Sequence, residues 1–300
     1  MNQLVEKNFA VISCIYGSDK KRIDSATFSI KENLNQIGNH TYIIIELLFN
    51  DEKSNYPFLK DLKNVIHLEI HRNDLYKDIM QKECLYNLAI KLIENYKYLV
   101  FLDTEMCSED RLWFCKIKQK IEENPYKIIQ GFSEMRDTID DVFKCTSLAR
   151  GFIDNILHTK KNKYFAPGGC WAMTKEIFEE IKGWNPWGVG ASGDALFVME
   201  DLSLIFFDKD IVIPEYFSDQ LRDKKKKFDV DFVDVKIIHI NHGPYSDRRS
   251  ERLREVWNEF RPITNYLELD EDGLLRWKDE NSPLRQALKE RRKTFYNKTY

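Results

Sequence analysis

Asp103-Thr104-Glu105 closes the stretch YKYLVFLDTEM, residues 96–106, in which aromatic and aliphatic side chains run straight into two carboxylates. Residues two apart on a β-strand project to the same face. At the carboxyl end of a strand, Asp103 and Glu105 can therefore share one ion, and hard carboxylate oxygens suit Mg2+ or Mn2+. An ion held there neutralises the charge that develops on a departing diphosphate. The plainer alternative is a pair of surface or helix-capping acids, because acid-x-acid is a common pattern.

Two histidines offer a further ligand. His239 shares a strand face with Val235 and Ile237, the position of a satisfied core histidine, while His242 follows at the strand end. An imidazole there completes a coordination shell, and the nearby Arg248 can grip phosphate oxygens through paired hydrogen bonds. In GWNPWGVGASGDALF, residues 183–197, glycines 183, 188, 190 and 193 allow sharp turns and close ligand approach. Trp184 and Trp187 carry flat faces that suit a sugar ring. Asp194 opens a helix: it is either an acid favoured by the helix dipole or the carboxylate that orients or deprotonates an acceptor hydroxyl. Glu46 interrupts an apolar strand, and burying it unpaired is costly. It meets a ligand ribose or base, or it pairs with a basic neighbour, and Lys82 and Asn87 are its candidate companions.

These residues need a scaffold. FAVISCIY (9–16), YIIIELLF (42–49) and NVIHLEI (64–70) read as strands, and 24–37 as a helix. Over 80–95, Leu85, Leu88, Ala89, Leu92 and Ile93 make one apolar helical face, with Glu83, Asn87 and Lys91 on the other side. Strands alternating with helices predict an α/β fold with a mostly parallel sheet, whose ligands bind beyond the carboxyl ends of the strands. Further on, residues 126–135 and 234–243 read as strands, and 166–184 as a Gly-rich turn, an apolar piece and a helix. Residues 193–207 read as another helix, and the charged stretch from 246 as helical with a turn at DEDG (270–273).

The chain has 300 residues, 43% hydrophobic and 32% charged, with a net charge of −3. That balance supports a large core and does not describe a nucleic-acid coat. The basic runs at 224–227 and 291–293 read as a solvated loop and a solvated helix face. Six cysteines without a C-x-x-C pair read as reduced core residues of a cytoplasmic protein. No signal peptide and no segment of bilayer-spanning length is evident. The P-loop, zinc-protease, serine-hydrolase and dinucleotide-binding motifs are absent.

The order of KECLYNLAI, YLVFLDTEM, PGGCWAMTKEIFEEIKGWNPWGVGASGDALF and HINHG resembles a GT-A-fold glycosyltransferase, broadly of the family 2 type with a galactosyltransferase-like carboxyl half. The resemblance runs from about residue 9 to 250. It implies one domain over 1–245, with a nucleotide-binding half (1–110) and an acceptor half (111–245), followed by a charged helical extension (246–300). It also implies Mn2+ or Mg2+ on Asp103, Glu105 and one of His239 or His242. Glu46, Lys82, Asn87, Asp103 and Arg248 would hold a nucleotide-diphosphate sugar, Trp184 and Trp187 the acceptor, and Asp194 would be the catalytic carboxylate that orients or deprotonates the acceptor. Two departures stand out: the second metal acid is Glu, and the usual W-G-x-E-D-like acid pair is reduced to Ser192-Gly193-Asp194. The implied reaction is sugar transfer to a hydroxyl of a glycan or glycoconjugate. The alternatives are a non-catalytic nucleotide or carbohydrate binder on the same scaffold, and a transferase acting on modified DNA bases, a nucleic-acid partner that the net charge disfavours.

Overall fold

The computed structural model describes residues 8–16, 20–93, 96–138, 144–154, 165–189, 193–202, 221–222, 226–240 and 250–296. The fold opens on four strands, of which all but the outermost are apolar runs buried on both faces. They are β1 (Phe9–Tyr16), β2 (Thr41–Phe49), β3 (Val65–Arg72) and β4 (Tyr98–Leu102), all parallel in the spatial order β4-β1-β2-β3. Alternate residues feed two cores. Ile12, Ile43, Ile45 and Leu47 face one of them, and Val11, Tyr42, Ile44 and Val100 face the other.

Helices cover both faces. The second core is closed by α1 (Lys20–Ile37), through Ala26 and Ile30, and by α3 (Trp113–Glu123), through Phe114, Ile117 and Ile121. On the first, α2 (Lys82–Leu92) packs Leu85, Leu88 and Ala89. Phe101 of β4 is 2% exposed, with its ring 5.2 Å from Trp184 and 5.3 Å from Phe178. Truncating such a residue to alanine costs about 3–5 kcal/mol, the sum of lost transfer energy and a cavity.

Beyond β4 the direction changes. Strand β10 (Cys170–Thr174) runs antiparallel between β4 and β6 (Ile128–Gln130), and β11 (Val230–Phe232) adds to β6. The result is a seven-stranded α/β sheet, mostly parallel, flanked by helices as the sequence led us to expect. A second sheet of five strands has the order β5-β12-β7-β8-β9. Its members are β5 (Met106–Ser108), β7 (Glu134–Asp137), β8 (Lys144–Ser147), β9 (Phe165–Ala166) and β12 (Lys236–His239). The stretch 126–135, read as one strand, is thus divided between two sheets. Short helices α4 (Leu148–Ile153) and α5 (Lys175–Glu180) follow β8 and β10, and α6 (Gly193–Asp201) covers the first core with Leu196 and Phe197.

The C-terminal stretch is not wholly helical. Between α7 (Ser250–Glu259) and α8 (Pro283–Tyr296), an antiparallel hairpin of β13 (Leu267–Leu269) and β14 (Leu275–Trp277) brackets the turn at 270–273. Asp270 Oδ1 builds that turn by accepting from the N–H groups of Asp272 and Leu274. Trp257, Leu275, Trp277 and Leu284 join the same core as α2. The Leu275 N–H donates to Gln81 Oε1 (2.8 Å), and Trp277 Nε1 donates to the Lys77 carbonyl (2.8 Å). Gln81 is the N-cap of α2, so this hairpin braces the end of the helix that carries Lys82.

All six cysteines are unpaired, five of them buried. Among the described residues, no helix is long and apolar enough to cross a membrane.

Candidate functional site

Asp103 and Glu105 do not lie on a strand. Strand β4 ends at Leu102, and residues 103–105 form the turn that carries the chain from the first sheet into the second. Period-two alternation therefore does not aim the two acids; the turn does. The Met106 N–H closes it on the Asp103 carbonyl (3.0 Å). The Asp103 N–H donates to the Gly169 carbonyl (3.0 Å), and the Ile240 N–H to the Glu105 carbonyl (2.8 Å). Two segments distant in sequence thus hold this turn, beside its own closing bond.

Lys82, in the first turn of α2, reaches across to it. Its ammonium donates to Asp103 Oδ1 and to Asp194 Oδ2, each at 2.9 Å. The lysine side chain is 14% exposed and the two carboxylates 24% and 23%. Asp194 sits in the first turn of α6, where the helix dipole favours an acid. Gly168 makes room for it: a Cβ there would lie 2.3 Å from Asp194 Oδ2. Glu83, next to Lys82, is 3% exposed and packs its carboxyl against the start of α6.

One ammonium faces several acids, and the titration behaviour follows. Burial works against the Lys82 charge, yet Asp103, Asp194 and Glu83 outweigh it and hold its pKa well above the ordinary lysine value. Burial pushes the Asp103 carboxyl up to about 6; Lys82 opposes this, and Asp194 and Glu105 add to it. Burial pushes Glu83 up to about 8, again against Lys82 and with help from Asp194 and Asp103. The cluster is short of positive charge.

The remaining candidates are placed as follows. Glu46 pairs with neither Lys82 nor Asn87. Its Oε2 lies 2.9 Å from Nε2 of His67 on β3, both side chains at most 3% exposed, so a neighbouring strand satisfies it. Asn87 clamps the loop after α5, donating to the Trp184 carbonyl and accepting from the Trp184 N–H, both at 2.9 Å. Trp184 offers no platform for a sugar: it is 1% exposed and packs against Phe197 (4.3 Å between ring centroids), Phe101 and Tyr86. Trp187 is half-buried and lines a groove of about 840 Å3 with Phe178, Lys182 and Arg222, a groove that does not include Lys82, Asp103 or Asp194. His239 ends β12 at 6% exposure, with Nδ1 3.2 Å from Asp137 Oδ2, which is the core-histidine arrangement. His242 and Arg248 lie outside the described residues.

A divalent ion suits this chemistry in one respect and lacks ligands in another. Asp103 and Glu105 are two carboxylates on one turn, close enough that Glu105 raises the Asp103 pKa, a repulsion that a cation relieves. Among the described residues no three His, Cys, Asp or Glu side chains come together to hold an ion. Two carboxylates with waters and substrate phosphates suffice for Mg2+-type sites, so the residues present fit an ion that arrives with a diphosphate.

Sequence reasoning placed Glu83 on the polar face of α2 and so missed its burial. The signal that bears on it is Gly193, whose missing side chain leaves space for a carboxyl from elsewhere.

No family model matches the chain, and no curated protein sequence matches it. Among solved structures the chain is similar to GalNAc-T7 with UDP, GalNAc and Mn2+, at 13% identity and a TM-score of 0.40, over 78% of this chain and 43% of that one. It is also similar to a mannosyltransferase from Pyrobaculum calidifontis in complex with GDP-Man and Mn2+, at 11% identity and a TM-score of 0.48, over 83% of this chain and 61% of that one. The chain spans less than two thirds of either structure's own length.

Proposed function

We propose that the protein is a GT-A-type glycosyltransferase that moves a sugar from a nucleotide-diphosphate sugar to an acceptor hydroxyl, with a glycan or glycoconjugate as acceptor. The observation that carries this reading is the Lys82 ammonium set between Asp103 and Asp194 beyond the carboxyl end of β4. Ligands of parallel α/β sheets bind at such a crest. A cluster with more acids than cations welcomes a metal-bound diphosphate.

In this reading residues 1–110 bind the nucleotide and 111–245 the acceptor. Asp103 and Glu105 hold Mn2+ or Mg2+ together with His242, which the chain carries two residues beyond Ile240. The ion supplies the positive charge that the leaving diphosphate needs. Lys82 remains protonated beside it and orients both carboxylates. Arg248 takes phosphate oxygens. Asp194, on the acceptor side, accepts the proton of the attacking hydroxyl as its oxygen bonds to the anomeric carbon and the carbon–oxygen bond to the diphosphate breaks. That sequence of events describes inversion; in a retaining reaction Asp194 positions the sugar. Unpaired cysteines suit a cytoplasmic setting.

The test is a thermal-shift screen of nucleoside diphosphates and their sugars with and without Mn2+. A ligand at a hundred times its Kd stabilises the fold by about 2.7 kcal/mol. We expect a Mn2+-dependent shift with one nucleotide, lost in Asp103→Asn while the fold persists. No shift with any nucleotide, or full retention in Asp103→Asn, overturns the reading. A shift without any turnover of the sugar nucleotide identifies the non-catalytic binder instead.

A further inference from the structure

Asp194 has no acid beside it in sequence, because residue 193 is a glycine. The space beside it is nonetheless occupied by a carboxyl group. A Cβ built on Gly193 would lie 1.8 Å from Glu83 Oε1 and 1.9 Å from Glu83 Cδ. Real Cβ atoms do not approach so closely, so the volume a residue-193 side chain would enter belongs to Glu83. On its other flank, a Cβ on Gly188 would lie 3.1 Å from Glu83 Oε2 and 2.6 Å from the Gly193 Cα. The two glycines and the Glu83 carboxyl are therefore packed backbone to side chain, without an intervening methyl group.

Glu83 reaches this place from α2, one residue after Lys82, whose ammonium is 2.9 Å from Asp194 Oδ2. Consecutive residues of one helical turn thus touch the same end of α6, Lys82 by charge and Glu83 by contact. Glu83 is 3% exposed, so solvation does not account for an acid at this point of the helix.

We propose that Glu83 is a positioning residue of the acceptor side, its carboxyl standing in for the side chain that residue 193 lacks. It sets where α6 begins and so holds Asp194 against Lys82. The proposal rests on the transferase reading for its catalytic consequence, while the packing relation itself does not.

The experiment transplants the carboxyl. Gly193→Glu alone places a side chain in occupied space and lowers Tm steeply. Glu83→Ala alone vacates the space and lowers Tm. The double variant Glu83→Ala/Gly193→Glu returns a carboxyl to the vacated volume from α6 itself, and its Tm exceeds the sum of the two single effects. Neighbouring sites that share a volume couple in this way. A double variant no more stable than that sum overturns the proposal.

For the catalytic arm, Glu83→Ala lowers kcat at least tenfold with Mn2+-dependent nucleoside diphosphate binding unchanged, and Glu83→Gln, which keeps the shape, restores most of kcat. A wild-type kcat in Glu83→Ala, or equal losses in the Gln and Ala variants, overturns the positioning role. Failure of the wild-type protein to bind any nucleoside diphosphate strikes the transferase reading instead, and leaves the stability comparison standing.

Discussion

Two buried carboxylate sites of this protein solve the same problem differently. Glu46 faces His67 across β2 and β3, both almost fully out of water, with Glu69 3.6 Å from the other nitrogen of the same imidazole. At the Lys82 cluster, Asp103, Asp194 and Glu83 converge on a single ammonium, with Glu105 nearby. The first arrangement is closed: each group has its partner within the sheet. The second is open: its acids outnumber its cations, and burial together with the neighbouring acids drives the carboxyls of Asp103 and Glu83 up. Structural polar pairs tend to the first form, and sites that await a charged ligand to the second. The difference separates a carboxylate paired within the sheet from carboxylates that share one ammonium.

Removing the common cation breaks the comparison most forcefully. Lys82→Met leaves buried acids without their ammonium, and should cost about 3–5 kcal/mol of stability at pH 8. The loss should shrink at pH 5, where the raised carboxyls are protonated; chemical denaturation at both pH values measures it. An equal loss at the two pH values would show that Lys82 acts through packing rather than charge.

Glu83 sharpens it by a pH profile. Because its carboxyl is pushed up to about 8 from an ordinary 4.5, the folded chain keeps a proton that the unfolded chain has released. Stability should therefore fall as pH rises from about 4.5 towards about 8 and level off above, the reverse of a salt-bridged acid. Glu83→Gln should flatten that slope, by roughly 2–4 kcal/mol across the window. An unchanged slope in denaturant titrations would move the raised proton elsewhere.

The smallest effect belongs to the closed pair. His67→Ala leaves Glu46 buried without its partner and should cost about 1–2 kcal/mol. Restoring neutrality with Glu46→Gln in the same chain should recover part of that loss. Binding of Mn2+ at the Asp103 turn should be the same in all of these His67 and Glu46 variants, as calorimetry can show.

The difference between the two sites also bears on what the sequence can disclose. Strand β1 spans the very residues, 9–16, whose unbroken apolar character marks a strand buried on both faces. The apolar face of α2 was equally plain in Leu85, Leu88 and Ala89, although Leu92, read onto the same face, is exposed at the helix end. Local pattern carries such features because each residue's environment follows from its own element. The acid turn obeyed no such rule. Nothing within YLVFLDTEM marks where the strand gives way to the turn, and part of what holds that turn is a carbonyl of Gly169 and an N–H of Ile240, brought in from far along the chain.

Glu83 is the same lesson in a harder form. A charged residue among helical polar positions reads as solvated, and only the two glycines more than a hundred residues later reveal a vacant volume. Trp184 reads as a sugar platform beside glycines, yet three aromatic rings surround it. The histidine strand was legible as a strand, but its membership of the second sheet depends on pairing with β5 and β7.

The hairpin that meets Gln81 gives the site a place in time. The Leu275 N–H and the Gln81 side chain are 194 positions apart, and Trp277 closes onto Lys77 across 200. Loops of that length close late and slowly in a growing chain. The helix start that presents Lys82 therefore receives its final support only after the hairpin of β13 and β14 has been made. A nascent chain that has already laid down its parallel strands does not yet own a finished crest, and ligand binding should begin only once that hairpin has emerged.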